Sequence, residues 1–355
     1  MEKLNIALIG LGRSGMNIHG KFFLSDKNTL FNVVAVCDEI EVRAIDASIK
    51  FECAYYTDYR EMLKRQDIDV ILNSTFSYEH SDVAVDCLNA GKNVVSEKPF
   101  AQTAEQCDRM IEAAERNGVS ICPFQQSRFA PYYTRMRDIV RSGVLGRILE
   151  IKTTFSGFSR RWDWQCSQRF GGGNMYNTGP HPFDMALDMI NCDDMPQIAA
   201  RLDTTEMTFG DAEDFVKAVL IWPGKPVLDI EIMSTDAYAD TLFHLIGSKG
   251  TLRASMGKIE YKYIEPESEF VHKLVLSPYT NAEGRPAYCS EKLNVFEFGE
   301  DVVGTSFDVA VEKYYQNVYS HIVDGKPLVV KPSRVRQQIA IMEEIHKQNP
   351  LKVKY

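Results

Sequence analysis

Short apolar runs alternate with amphipathic stretches through the first third of the chain, and the rhythm then changes. Residues 4–8, 31–37, 69–75, 93–96 and 119–122 are apolar and β-branched, which predicts buried parallel strands. Between them, helical spacing predicts helices at 41–48, 58–65, 77–89 and 103–117, with Gly91 and Gly118 as stops for the last two. Residues 55–59 read as a short strand turning into the 58–65 helix. Such alternation predicts a doubly wound parallel sheet of the Rossmann type. After Pro123 a helix is expected from Pro131 to about Arg141. Strands are then expected at 148–155, 214–221, 227–233, 240–247, 250–254 and 258–264. A run of strands with few helices between them predicts a second α/β unit on a large, mainly antiparallel open sheet, covered by helices or by another subunit. A homo-oligomer, dimer or tetramer, is expected on that ground. One helix should run from the 171–173 glycines to about Ile190, and one strand should lie at 293–298. Two amphipathic helices, 307–323 and 332–348, close the chain. The expected division is 1–124 and 125–355, with the final helix packing back.

Composition adds limits to this picture. The 355 residues, 45% hydrophobic, suffice for two domains. Eight cysteines are scattered without close pairs, which matches neither a zinc site nor a disulfide framework, so no metal is expected and the thiols should be reduced. A net charge of −9 without a basic block argues against a nucleic-acid partner. The first residues lack a basic leader with an apolar core, and no apolar run has the length of a membrane span, so a cytoplasmic protein without a membrane partner is expected.

Gly10-Leu11-Gly12-Arg13-Ser14-Gly15 follows the first strand directly. Gly10 permits a tight turn, Gly12 lets backbone approach a pyrophosphate, and Gly15 lets the next helix pack closely. The helix should begin near Arg13, with Arg13, Ser14 and free amides at the phosphates. Asp38 ends the second strand, where a carboxylate can accept from both ribose hydroxyls and would repel a 2'-phosphate. The expected cofactor is therefore NAD, although Arg43 nearby leaves room for NADP. Ser74 and Thr75 end the third long strand with small polar groups, leaving space for a ligand at the sheet edge. Phe76 and Tyr78 can wall that pocket. His80 belongs either to it or to a cap beneath the loop. Glu97 and Lys98 arrive at the same edge and complete the expected cofactor set.

The candidate chemistry lies around Lys98. Read from residues alone, it is either a surface lysine at a helix start or an ammonium held rigid by Pro99, through a cis or a trans bond, beside a substrate oxygen. Asn177 and His181, four apart, should share a helix face, with Asp184 close to His181. His181 is either a structural histidine between Pro180 and Pro182 or the acceptor of a hydroxyl proton. Arg160, Arg161, Trp162, Asp163, Trp164 and Arg169 crowd the preceding loop. They suit a pyranose face and a carboxylate or phosphate, or else form a packed loop with two core tryptophans.

Glu97-Lys98-Pro99, Gln126-Ser127-Arg128-Phe129, the Ser142-Gly143 to Gly146 turn, Gly171-Gly172-Gly173 followed by His181 and Asp184, and Gly247 to Gly250-Thr251 together resemble the glucose-fructose oxidoreductase and inositol dehydrogenase family, called Gfo/Idh/MocA. The resemblance implies a Rossmann domain, a C-terminal α/β domain on an open sheet and a cleft between them. It implies Lys98 and His181 as the catalytic pair, with Asn177 where many members carry aspartate. Expected substrate contacts are Lys98, Arg128, Arg161, Trp162, Trp164, Asn177 and His181. The activity it implies is NAD-dependent transfer of hydride between a sugar, polyol or sugar-acid hydroxyl and the nicotinamide. Its alternatives are an enzyme that retains NAD and cleaves or eliminates a glycoside through transient oxidation, and a non-catalytic NAD-binding sensor.

Overall fold

The computed structural model describes residues 3–239, 241–264, 274–290, 292–304 and 307–355. Its first sheet contains β1 (Leu4–Ile9), β2 (Phe31–Cys37), β3 (Ala54–Tyr56), β4 (Val70–Asn73), β5 (Asn93–Ser96) and β6 (Ile121–Pro123). Every pairing is parallel, in the order β3-β2-β1-β4-β5-β6. The chain therefore reverses its winding between β1 and β4, and open α/β sheets bind ligands beyond the strand ends at such a point. The crossovers are α1 (residues 13–23), α2 (Glu41–Phe51), α3 (Tyr59–Met62), α4 (His80–Asn89) and α5 (Ala104–Asn117). Within α1, Gly15–Gly20 is wound as a π-helix. The start of α5 is fixed by a reciprocal cap between Thr103 and Gln106, and Gly118 ends it at φ 64°.

The second sheet is preceded by α6 (Pro131–Arg141) and takes β7 (Ile148–Thr154) from one side of two helices, α7 (Asn174–Asn177) and α8 (Pro180–Ile190). Its other strands are β8 (Gln197–Asp203), β9 (Phe215–Ile221), β10 (Val227–Met233), β11 (Phe243–Gly247), β12 (Gly250–Ala254), β13 (Lys258–Ile264) and β14 (Val295–Asp301). The order is β14-β13-β12-β11-β7-β10-β9-β8, antiparallel except for the parallel pair β7 and β10. The sequence pattern misses β8. Ala199 and Ala200 dilute its alternation, which only Ile198 and Leu202 mark, and pairing with β9 decides the outcome. The single helix expected up to Ile190 is instead two, broken at Thr178 and Gly179. A Cβ on Gly179 would lie 2.2 Å from the Met175 carbonyl oxygen, and Pro180 then opens α8.

The last two helices, α9 (Phe307–Asp324) and α10 (Pro332–Gln348), both return to the first sheet. Val311, Tyr315 and Val318 recur at helical spacing, and with Tyr314 and Tyr319 they share one core with Ile6, Leu8, Phe22, Phe23 and Phe31. α10 lies against α5 and α8, where Arg336 pairs with Asp108 at 2.8 Å and Glu343 accepts from the Ala104 N–H at 2.9 Å. The N-terminal sheet is thus finished by residues from far beyond position 124. All eight cysteines are unpaired, and Cys37, Cys87, Cys107, Cys122 and Cys166 are buried. Among the described residues, no helix is long and apolar enough to cross a membrane.

Candidate active site

The turn after β1 uses its three glycines differently. Gly10 has φ +84°, and a Cβ there would lie 2.4 Å from the Ser74 carbonyl oxygen; on Gly15 it would lie 1.9 Å from the Gly10 carbonyl oxygen. These two fit the turn against the end of β4, and the Ser74 hydroxyl joins them by donating to the Gly10 carbonyl at 2.7 Å. Beside Gly12 the space is open, with nothing within 4 Å of a Cβ built on it. That opening faces the start of α1, where Arg13 is exposed, Ser14 is half-buried and unpaired N–H groups favour a phosphate. Asp38 accepts from the Leu11 N–H at 2.7 Å and the Ile40 N–H at 2.9 Å, with an Arg43 nitrogen 4.0 Å away. The Thr75 hydroxyl donates to Asn73 Oδ1 at 2.9 Å. A cradle open only at its middle glycine fits a dinucleotide. Gly12→Ala is accordingly expected to keep the wild-type melting temperature while weakening NAD binding about tenfold, roughly 1.4 kcal/mol. Calorimetric titration with NAD alongside a thermal melt checks both halves.

β5 delivers Lys98 to the same edge, through a Lys98-Pro99 peptide that is cis. Lys98 Nζ donates to the backbone carbonyl of Asn177 at 2.9 Å, which ties this edge to α7. On α8, His181 Nδ1 lies 2.8 Å from Ser127 Oγ. With Nδ1–H donating to that hydroxyl, the Nε2 lone pair is the free acceptor. Burial and then the Lys98 charge push His181 down to about 3 against the pull of Glu97, so the imidazole is neutral at ordinary pH. Burial also lowers the Lys98 pKa; Glu97 opposes this, and Arg13 and Arg161 add to it. Charges from the glycine turn, the 158–170 loop and residue 97 therefore converge on one ammonium.

The remaining expected residues divide into those that reach this point and those that support it. Asn177 and His181 sit on different helices because of the break between them, so they do not share the face that their spacing predicted. Asn177 Oδ1 accepts from Gln165 Nε2 at 3.2 Å, Gln165 accepts from Arg161, and Arg161 Nε donates to Asp163 at 2.8 Å. Asp184 does not pair with His181. It takes Arg128 through two bonds of 2.6 and 3.1 Å, while a third Arg128 nitrogen lies 2.7 Å from Asp188. Arg128 is buried in these contacts. The two ring nitrogens of His80 face the Pro99 and Thr75 carbonyls at 2.7 and 3.2 Å. Glu97 takes His19 Nε2 at 3.1 Å and the Lys98 N–H at 2.8 Å. Both His80 and Glu97 are buried with these partners beneath the edge.

Neither loop tryptophan is a core residue. Trp162 is 76% exposed and stands edge-on to Phe209 at 6.4 Å. Trp164 stands edge-on to Phe76 at 5.1 Å and Tyr78 at 6.1 Å, and Tyr78 lies 5.3 Å from Phe170. These four rings join the exit of β4 to the 158–170 loop across the mouth of the site. Both tryptophans also line a concavity of about 270 Å³ with Phe209 and Tyr355. Gln165 and the pairing of Ser127 with His181 escape sequence reasoning, because nothing in their spacing marks them. Among the described residues, no group of three or more His, Cys, Asp or Glu side chains is placed to hold a metal.

Residues 4–124 match the family model described as the oxidoreductase family with an NAD-binding Rossmann fold, and residues 133–253 match the GFO/IDH/MocA C-terminal domain. The chain belongs to the GFO/IDH/MocA family. An uncharacterized oxidoreductase of Schizosaccharomyces pombe is 28% identical over 234 residues, covering 63% of this chain and 62% of the relative. Inositol 2-dehydrogenase of Salmonella paratyphi B is 31% identical over 193 residues, 54% of this chain and 55% of the enzyme. The match thus spans little more than half the length of these curated relatives. Levoglucosan dehydrogenase, solved with NADH and levoglucosan, shares the fold at a TM-score of 0.79, with 17% identity over 98% of this chain and 97% of that one. For this GFO/IDH/MocA chain, the family assignment agrees with the strand order of the first sheet and with the glycine cradle at its switch point.

Proposed function

We propose that this family member is an NAD-dependent oxidoreductase that moves hydride between a CH–OH carbon of a sugar, polyol or sugar acid and the nicotinamide. The observation that carries the reading is the convergence of Lys98 and His181 beside the cradle, one a donor through Nζ and the other neutral with a free acceptor nitrogen. A bound nicotinamide supplies the hydride acceptor. In the oxidative direction His181 Nε2 takes the hydroxyl proton as the carbon–hydrogen bond gives up its hydride, and the Lys98 ammonium stabilises the developing oxyanion. That oxyanion raises the proton affinity of His181 at the moment it is needed. Asp38, already held by two backbone N–H groups, supports NAD over NADP. Arg161 is met by Asp163, which reduces the charge it offers, so neutral sugars and polyols stand beside acids as substrates. Carbohydrate names among the relatives support the class. The second sheet turns a face away from its buried side that carries Phe215, Val219, Val227 and Met233 around the Lys217, Asp229 and Glu231 ion cluster, and a face of mixed apolar and paired charged groups supports a homo-oligomer.

NADH absorbance, followed with NAD across a panel of neutral and acidic sugars and inositols, tests the reading. A rise with one class is expected. Tightly held NAD, no rise, and product seen by chromatography would replace it with the redox-cycling cleavage of a glycoside. Because His181 is neutral down to about 3, the acid side of the kcat/KM profile for oxidation is expected to lack a limb near the ordinary histidine value of about 6.5. A clear limb between about 6 and 7 that vanishes in His181→Ala would contradict this account.

A further inference from the structure

We propose that Tyr315, His19 and Glu97 form a buried relay that positions Lys98, making helix α9 a distant support of the candidate active site. The proposal rests on the reading of Lys98 given above. All three side chains are buried, and none of them has a part in the proton and hydride steps. Tyr315 OH lies 2.7 Å from His19 Nδ1, His19 Nε2 lies 3.1 Å from Glu97 Oε1, and Glu97 Oε2 accepts the backbone N–H of Lys98 at 2.8 Å. With Tyr315 donating to Nδ1, the Nε2–H of His19 donates to the carboxylate, and each polar atom along the line has a partner. Burial works against a charge on Glu97, but His19 and Lys98 hold it at about 2, so the residue is a carboxylate at every working pH.

The rest of the line is fixed by packing. Tyr315 is stacked on Phe22 at 4.9 Å and meets Phe23 and Phe31 at 4.8 and 5.4 Å, while the His19 ring lies 4.3 Å from Phe124. His19 reaches this place from the π-helical part of α1. Wide turns of this kind are frequent where a side chain must be re-aimed at a functional site. On the other side of Lys98, the Pro99 carbonyl faces His80 Nδ1 at 2.7 Å. The backbone is therefore gripped before and after the lysine, and its ammonium leaves toward Asn177. Three charged groups act on that ammonium: Glu97 from below, Arg13 from the glycine turn and Arg161 from the loop, while the neutral imidazoles of His181 and His80 feel its charge. Glu97 alone opposes its loss of a proton.

The test reads Lys98 directly, without substrate. The full-length protein is trace-labelled with acetic anhydride at a series of pH values, and acetylation of Lys98 is quantified by peptide mass spectrometry. Glu97→Gln is expected to lower the midpoint of Lys98 labelling by about one unit, a tenfold change in the unprotonated fraction below it. Tyr315→Phe keeps the ring in its aromatic nest and removes only the hydroxyl. It should shift the midpoint the same way by less, and the double variant should match Glu97→Gln alone. An unmoved midpoint in folded Glu97→Gln, or additive shifts in the double variant, would overturn the relay. If Glu97→Gln does not fold, an unmoved midpoint in Tyr315→Phe decides against it. Because labelling needs no turnover, a failed sugar panel with a shifted midpoint would sink the proposed activity and leave the relay standing.

Discussion

Lys98→Met is expected to lower kcat for NAD reduction by about 10²–10⁴-fold, with NAD binding unchanged. Methionine fills a similar volume but carries no charge and no donor, so nothing remains to stabilise the oxyanion as hydride leaves. Asn177→Ala is expected to cost far less, under about tenfold, for a reason specific to this chain. Lys98 is held by the backbone carbonyl of residue 177, which alanine retains, whereas among the described residues the lost side chain bonds only Gln165. Steady-state rates for both variants, with NAD affinity measured separately, check the order. A larger loss in Asn177→Ala would mean that the side chain at 177 contacts substrate and that Lys98 is secondary.

Arg128→Met should be the most damaging single change to stability, at about 3–5 kcal/mol. It leaves Asp184, which is 2% exposed, without its bidentate partner, and strips a second contact from Asp188. Burial already raises the Asp184 pKa in the intact protein, with Arg128 opposing it. Without Arg128 the carboxyl rises further, so the native state of the variant binds a proton that the unfolded chain does not. Its stability therefore falls as pH rises, and the deficit relative to wild type should be larger at pH 8 than at pH 5. Denaturant melts at the two pH values measure this. A variant of unchanged stability with a raised substrate KM would instead restore Arg128 as a substrate contact.

Local rules made the first sheet legible. β1, the glycine turn, β2 and Asp38 form one continuous piece of chain, and each residue type there answers to a turn, a close approach or a phosphate. Lys98 and His181 were marked by their neighbours, a proline and a glycine triplet. What stayed hidden depends on partners distant in sequence. Arg128 looked like a cation available to a ligand until two acids of α8 were placed around it. His19 was too far along α1 to meet a phosphate, and only the fold shows that it turns to Tyr315, nearly three hundred positions away. The break between Asn177 and His181 follows from Gly179 pressing on the Met175 carbonyl, which a four-residue spacing cannot reveal. β8 was invisible because its alanines pack as an edge partner of β9 without a strong pattern of their own.

The return of α9 to the first sheet bears on modularity. The nucleotide-binding segment looks like a portable cassette, complete by residue 124, of a kind that could be lifted out or exchanged between proteins. Yet Phe22, Phe23 and Phe31 find their cover in Val311, Tyr315 and Val318, so a fragment cut at that point would carry a bare apolar face. A graft of the first half must therefore bring α9 with the sheet it covers.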